Sequence, residues 1–206
     1  MTTTPGPQKP LQPAPITWWA CEPRRLERDQ REITAAFPDL DYDGEGAGNW
    51  HGTLPLWPFD RPQPAHLTDW AGTTGLCVLV AYRQAYPMVP PDILPLGPVP
   101  EPAEWTQSRW HVNGDGTLCL LRADALWTGR ESVVDLLLKA AAWRVEYALM
   151  KHGVISQMSD CGIVEDDSFD HFLTQPPPTT AAAHDNLTAA PDTTSDHRGV
   201  GSEPSC

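Results

Sequence analysis

Apolar residues along the chain fall into blocks with different spacing. Between Glu22 and Phe37, Leu26, Ile33 and Phe37 recur at helical intervals beside Arg and Glu, which predicts a helix. Pro23 suits its first turn and Pro38 ends it. Trp50 to Leu56 and Gly75 to Tyr82 predict strands. The second is nearly continuous in apolar residues, as expected of a central strand, and its Cys77 is assigned to packing. From Glu131 to Met150, the residues Val134, Leu137, Leu138, Ala141, Val145 and Leu149 predict a long amphipathic helix. Ser132 or Thr128 is its candidate N-cap, and Gly153 its left-handed stop. The stretch from Tyr86 to Pro102 holds so many prolines that it is expected to be a rigid, unpaired connection. A further helical turn is expected before Leu173.

The ends have no such periodicity. Residues 1–15 form a Thr/Pro/Gln leader and residues 174–206 a Pro/Thr/Ala tail, both expected to be disordered around a domain at 16–173. The sequon Asn186-Leu187-Thr188 falls in that tail.

The formal net charge of -13 disfavours a phosphate backbone as partner, so no nucleic acid is expected. With neither a membrane-length apolar run nor a basic leader, a soluble, cytoplasmic protein is expected. The cysteines Cys21, Cys77, Cys119, Cys161 and Cys206 are odd in number and widely spaced. That argues against a disulfide framework and against a zinc site. Asp39 to Gly44 resembles the first half of a calcium loop, but Trp50 stands where the bidentate Glu belongs. It is read as an acidic turn. Gly44, Gly46 and Gly48 do not complete a dinucleotide fingerprint, because Asn49 occupies the third position. No cofactor and no metal are expected.

The informative segment is His111-Val112-Asn113-Gly114-Asp115-Gly116-Thr117-Leu118-Cys119. Two glycines between Asn113 and Cys119 permit a tight reversal, so the Asn amide can approach the thiol across a turn. An amide donor beside a thiol suits the oxyanion formed when an amine attacks a thioester. The plainer reading is a Gly-rich turn with a buried Cys and an Asn that bonds the loop backbone.

Tyr86-Pro87-Met88-Val89-Pro90-Pro91 resembles the Y-P-x-x-P-P stretch of ubiquitin-conjugating (UBC) enzymes. His111-Val112-Asn113 resembles their H-P-N tripeptide, and Gly116-Thr117-Leu118-Cys119-Leu120 their G-x-I-C-L strand. Trp127 follows Cys119 at the family spacing, and Trp50 to Leu54 resembles the early W-x-A-x-I strand. The ordered set covers 23–150. Val112 in place of proline, a shorter Asn-to-Cys interval, Leu121 in place of an acidic residue and an insertion before His111 suggest a divergent, prokaryotic type. Such members are found in anti-phage (CBASS-like) or bacterial ubiquitination-like operons.

The resemblance implies an α+β, UBC-like fold, with an antiparallel meander flanked by an N-terminal helix and C-terminal helices. It implies that Cys119 carries a modifier as a thioester and Asn113 donates to the oxyanion. His111 would brace the loop, Asp115 or Asp124 would orient or deprotonate the amine, and Trp127 and Trp110 would pack beside the site. The implied partners are an activating enzyme, a modifier (a ubiquitin-like protein or a nucleotidyltransferase C terminus) and an acceptor protein or small amine. The alternative is an inactive UBC-like module that scaffolds partners. A papain-like hydrolase fits poorly, because no Cys leads a long helix.

Overall fold

The computed structural model describes residues 16–121, 127–159, 162–164 and 167–178. The leader, most of the tail, Cys161, Cys206 and the Asn186 sequon lie outside them. A short helix α1 (Trp18–Cys21) leads into α2 (Pro23–Ala36), with Pro23 in its first turn. Four strands follow, β1 (Leu40–Asp43), β2 (Asn49–Leu54), β3 (Leu76–Ala81) and β4 (Asp92–Gly97), paired antiparallel in the order β1-β2-β3-β4. Helix α3 (Leu67–Ala71) lies in the β2–β3 connection, α4 (Gln107–Trp110) follows β4, and α5 (Val133–Lys151) is the long helix. The fold is α+β, built on an antiparallel meander.

Alternation on β3 buries Leu76, Val78 and Val80, with Trp50 and Leu54 beside them on β2. That face packs on α5, as period-two patterning requires. Cys77 is half-buried and lies on the opposite face of β3 from these residues, so it is not core filler. Helix α5 starts two residues later than the sequence pattern places it. The Ser132 side chain accepts from Val134 N at 3.2 Å. Its end is a Schellman stop, with Val154 N donating to Leu149 O and Gly153 N to Met150 O, both at 3.0 Å, around a left-handed Gly153. The expectation of an amphipathic helix needs correction. From Ala140 to Met150 every residue but Arg144 is buried, because the C-terminal segment covers the side turned away from the sheet. Met158, Ile163 and Leu173 are buried there, and Ser159 N donates to Glu146 Oε2 at 2.7 Å. Arg61 holds the segment through Asp170 and the carbonyls of Ile163 and Val164. A 3-10 turn at Asp170–Thr174 supplies the further turn expected there.

Two other expectations fail. The connection from Tyr86 to Pro102 was expected to be unpaired, yet β4 lies inside it, with Pro95 opposite Val78. Strand β4 is at the sheet edge, and a register irregularity sits between Cys77 and Val78. An edge strand tolerates a residue without an N–H. The acidic turn at Asp39–Gly44 is mostly strand β1, and the reversal comes later, at Gly44 to Gly48, where Gly48 N donates to Glu45 O at 2.9 Å.

Candidate functional site

Helix α4 ends at His111, whose φ of 49° and ψ of 43° place it in the left-handed region. This conformation costs a non-glycine residue energy and turns the chain sharply. Val112 and Leu118 then pair antiparallel, both buried. Between them Asn113 N donates to Thr117 O at 2.8 Å and Gly116 N to Asn113 O at 3.0 Å. With Gly116 at φ 84°, this is a three-residue hairpin loop closed by a left-handed glycine. The glycines therefore make the tight reversal that the sequence calls for. On the outgoing arm Leu118 N donates to Ile93 O at 2.8 Å, joining the hairpin to β4, and Cys119 N donates to His111 O at 2.7 Å. The nucleophile candidate thus sits across from His111 at the open end of the hairpin, half-buried.

The side chains of the turn are engaged with one another. Asn113 Nδ2 donates to Thr117 Oγ1 at 2.9 Å and to Leu118 O at 3.4 Å, while its Oδ1 accepts from Gln107 Nε2 at 2.7 Å. The Leu118 carbonyl belongs to the peptide unit that ends in Cys119 N. Asn113 is thus a brace of the turn whose amide reaches the backbone immediately before the thiol. Asp115 Oδ1 accepts from Thr117 N at 3.1 Å and from Thr117 Oγ1 at 2.6 Å. The hydroxyl bond in particular holds the Asp115 carboxyl below its ordinary range. Asp115 therefore stays ionised and fixes the loop. Burial alone pushes the Cys119 thiol up, so its thiolate fraction at neutral pH is below that of a free cysteine. Asp124 lies outside the described residues.

Trp110 and Trp127 have different partners. Trp110 is buried, with its carbonyl accepting from Trp143 Nε1 at 2.8 Å. Trp127 Nε1 donates to Pro87 O at 2.7 Å, tying the chain after the cysteine to the Tyr86-Pro87 turn. That turn rests on a buried polar cluster. Arg25 Nε donates to Tyr86 OH at 2.7 Å, and its guanidinium donates to Gly129 O at 2.7 Å and Glu131 O at 2.8 Å. Tyr86 OH donates to Asp29 Oδ2 at 2.5 Å, and Tyr82 OH to the same oxygen at 3.2 Å. Asp29 Oδ1 lies 3.0 Å from Arg25 Nε. The single Nε–H points at Tyr86, so this oxygen receives charge without a hydrogen bond of its own. Burial raises the Asp29 carboxyl, and the bond from Tyr86, the charge of Arg25 and the bond from Tyr82 oppose that rise. The chain before α5 is held again by Glu131, which accepts from Thr128 N, Thr128 Oγ1 and Arg130 N at 2.7–3.1 Å.

Arg25, Asp29, Gln107 and Thr117 were not among the residues singled out in the sequence. The first two had a signal: Arg25 and Asp29 stand eight and four residues before Ile33, on its buried helical stripe. Comparison with protein-family models and with curated proteins finds no match to the chain. Among the described residues, no helix is long and apolar enough to cross a membrane.

Proposed function

We propose that the protein is a conjugating enzyme of the ubiquitin-conjugating type, a cysteine carrier that passes a protein modifier to an amine. The observation that carries this reading is the placement of Cys119. It is half-buried on the outgoing arm of a glycine hairpin, with an Asn amide 3.4 Å from the carbonyl of the preceding residue. The order of elements supports it: one main N-terminal helix, a four-stranded meander, the cysteine segment and a long helix. In the first step the Cys119 thiolate attacks the thioester carbonyl on an activating enzyme, and the enzyme's own thiolate leaves. In the second, an amine attacks the Cys119 thioester, an amide forms, and the departing Cys119 thiolate takes up the proton the amine gives up. Asn113 donates to the oxyanion in that second step by exchanging its longer bond to Leu118 O. A thiol raised by burial is a slow leaving group, so the acyl group survives until a docked amine takes it. The modifier is a ubiquitin-like protein or a nucleotidyltransferase C terminus, and the setting is the bacterial cytoplasm, in anti-phage defence. The acceptor is a protein or a small amine.

The second reading is a catalytically inactive module of the same architecture. It draws support from the raised thiol and from an Asn113 amide fully used inside the turn. Cys119→Ser separates the two. Incubated with a ubiquitin-like protein, its activating enzyme and ATP, the native protein is expected to form an adduct cleaved by thiols. The serine variant is expected to form an oxyester that resists thiols and yields to alkali. Absence of both products would favour the inactive module.

A further inference from the structure

The Asn113 amide has two orientations that differ in which side carries its N–H groups, and the turn around it selects one. The selection starts at Asp115. Its Oδ1 accepts from Thr117 N at 3.1 Å and from the Thr117 hydroxyl at 2.6 Å. Those bonds hold the carboxyl in its ionised form, which only accepts. A hydroxyl has one proton. With that proton committed to Asp115, Thr117 Oγ1 has only lone pairs left for Asn113. The group facing it must therefore be Nδ2, which donates at 2.9 Å. Reversing the amide would set Asn113 Oδ1 against Thr117 Oγ1 and the Leu118 carbonyl, with no proton between any of them. Thr117 is 7% exposed, so water has little access to relieve that conflict.

At the other end Gln107 Nε2 donates to Asn113 Oδ1 at 2.7 Å. Gln107, Asn113, Thr117 and Asp115 thus form one chain of hydrogen bonds, with every donor pointing toward the ionised carboxylate. Such a chain polarises each of its members. Nδ2 carries two N–H groups. One is fixed on Thr117, and the other lies over the longer 3.4 Å contact to Leu118 O, on the backbone that leads into Cys119. We propose that Thr117 and Gln107 are positioning residues for amine attack, holding the Asn113 amide with its N–H edge toward the backbone at Cys119. Asp115 sets the polarity of the chain. Neither Thr117 nor Gln107 touches the reacting atoms. This role rests on the reading of Cys119 as a thioester carrier.

Single-turnover discharge of a preformed Cys119 thioester to free lysine, measured beside loading and a melting curve, tests this role. Thr117→Val keeps the shape and removes the hydroxyl. Its discharge is expected to slow about tenfold, because a misaimed donor supplies only part of what a well-placed one does. Loading should stay within about twofold of native, since the donor acts on the oxyanion of the second step. Thr117→Ser restores the hydroxyl and is expected to recover most of the discharge rate. Gln107→Glu sets an ionised acceptor against Asn113 Oδ1, which favours the reversed amide. Gln107 is exposed, so this variant is expected to melt like the native protein while its discharge falls about tenfold. In an Asn113→Ala background neither change should slow discharge further, because no amide is left to aim. Native discharge in either Thr117→Val or Gln107→Glu would overturn the positioning role and leave the reading of Cys119 standing. So would slowing that persists in the Asn113→Ala background. Failure of the native protein to form any thioester would overturn the reading of Cys119, and this role with it.

Discussion

The hairpin that carries Cys119 and the cluster around Asp29 are both polar, and they are held in opposite ways. In the hairpin, Asn113, Asp115 and Thr117 bond to near neighbours within a part-buried turn whose tip, Gly114-Asp115, is exposed. In the cluster, Arg25 reaches carbonyls more than 100 residues away, and Asp29 is 1% exposed. Bonds between near neighbours at a part-buried turn set a conformation at lower energetic risk, because water at the exposed tip can replace part of what is lost. Buried charges bind distant parts of the chain together, but each depends on its partner. The molecule thus has a candidate nucleophile on an adjustable turn and a rigid anchor beneath the chain that follows it.

If that contrast is correct, substitutions in the two regions differ most in size. Asp29→Ala leaves the Arg25 charge and two tyrosine hydroxyls buried with fewer partners, and is expected to cost about 3–5 kcal/mol by urea denaturation. A loss under 1 kcal/mol would mean that water reaches the cluster. Gly116→Ala forces a left-handed alanine at the turn and is expected to cost about 1–2 kcal/mol. Its added methyl would sit 3.4 Å from the Trp105 ring, so near-neutral behaviour would mean the hairpin shifts freely.

Asn113→Ala is expected to cost about 1 kcal/mol, as for a partly exposed bonding group. On the proposed mechanism it also slows discharge of a preformed thioester to free lysine by roughly a hundredfold. Equal loss in loading and discharge would reduce Asn113 to a brace.

Much of this was legible in the sequence, for identifiable reasons. The glycine spacing around Asp115 specified a hairpin because turn chemistry is local. The apolar run Leu76 to Ala81 and the repeat along α5 specified their elements by period. Strand β4 was missed because Pro95 argues against pairing, and only the sheet order reveals an edge. Helices α1, α3 and α4 are four or five residues long, too short for periodicity to register. Arg25 and Asp29 share the helical stripe of Ile33, but the partners that complete their burial, Tyr86 and Gly129, are not placed near them by the sequence.

The smallest effect concerns Glu131. The Thr128 hydroxyl, with the amides around it, lowers its carboxyl from an ordinary 4.5 to about 2. Its folded value lies below its unfolded one, so its contribution is present above pH 4.5 and disappears as pH falls toward 2. Melting curves of the native protein and Glu131→Gln are expected to differ slightly at pH 6 and to converge near pH 2. A gap that persists at pH 2 would show that Glu131 acts through something other than its charge.

The central claim is that Cys119 carries an acyl group, and intact-mass spectrometry after charging tests it directly. With modifier, activating enzyme and ATP, the native protein is expected to gain one modifier mass that dithiothreitol removes. The gain should persist in alanine variants of Cys21, Cys77, Cys161 and Cys206 and vanish in Cys119→Ala with an unchanged melting curve. A thiol-sensitive adduct that survives Cys119→Ala, or is lost with any other cysteine, would contradict the account.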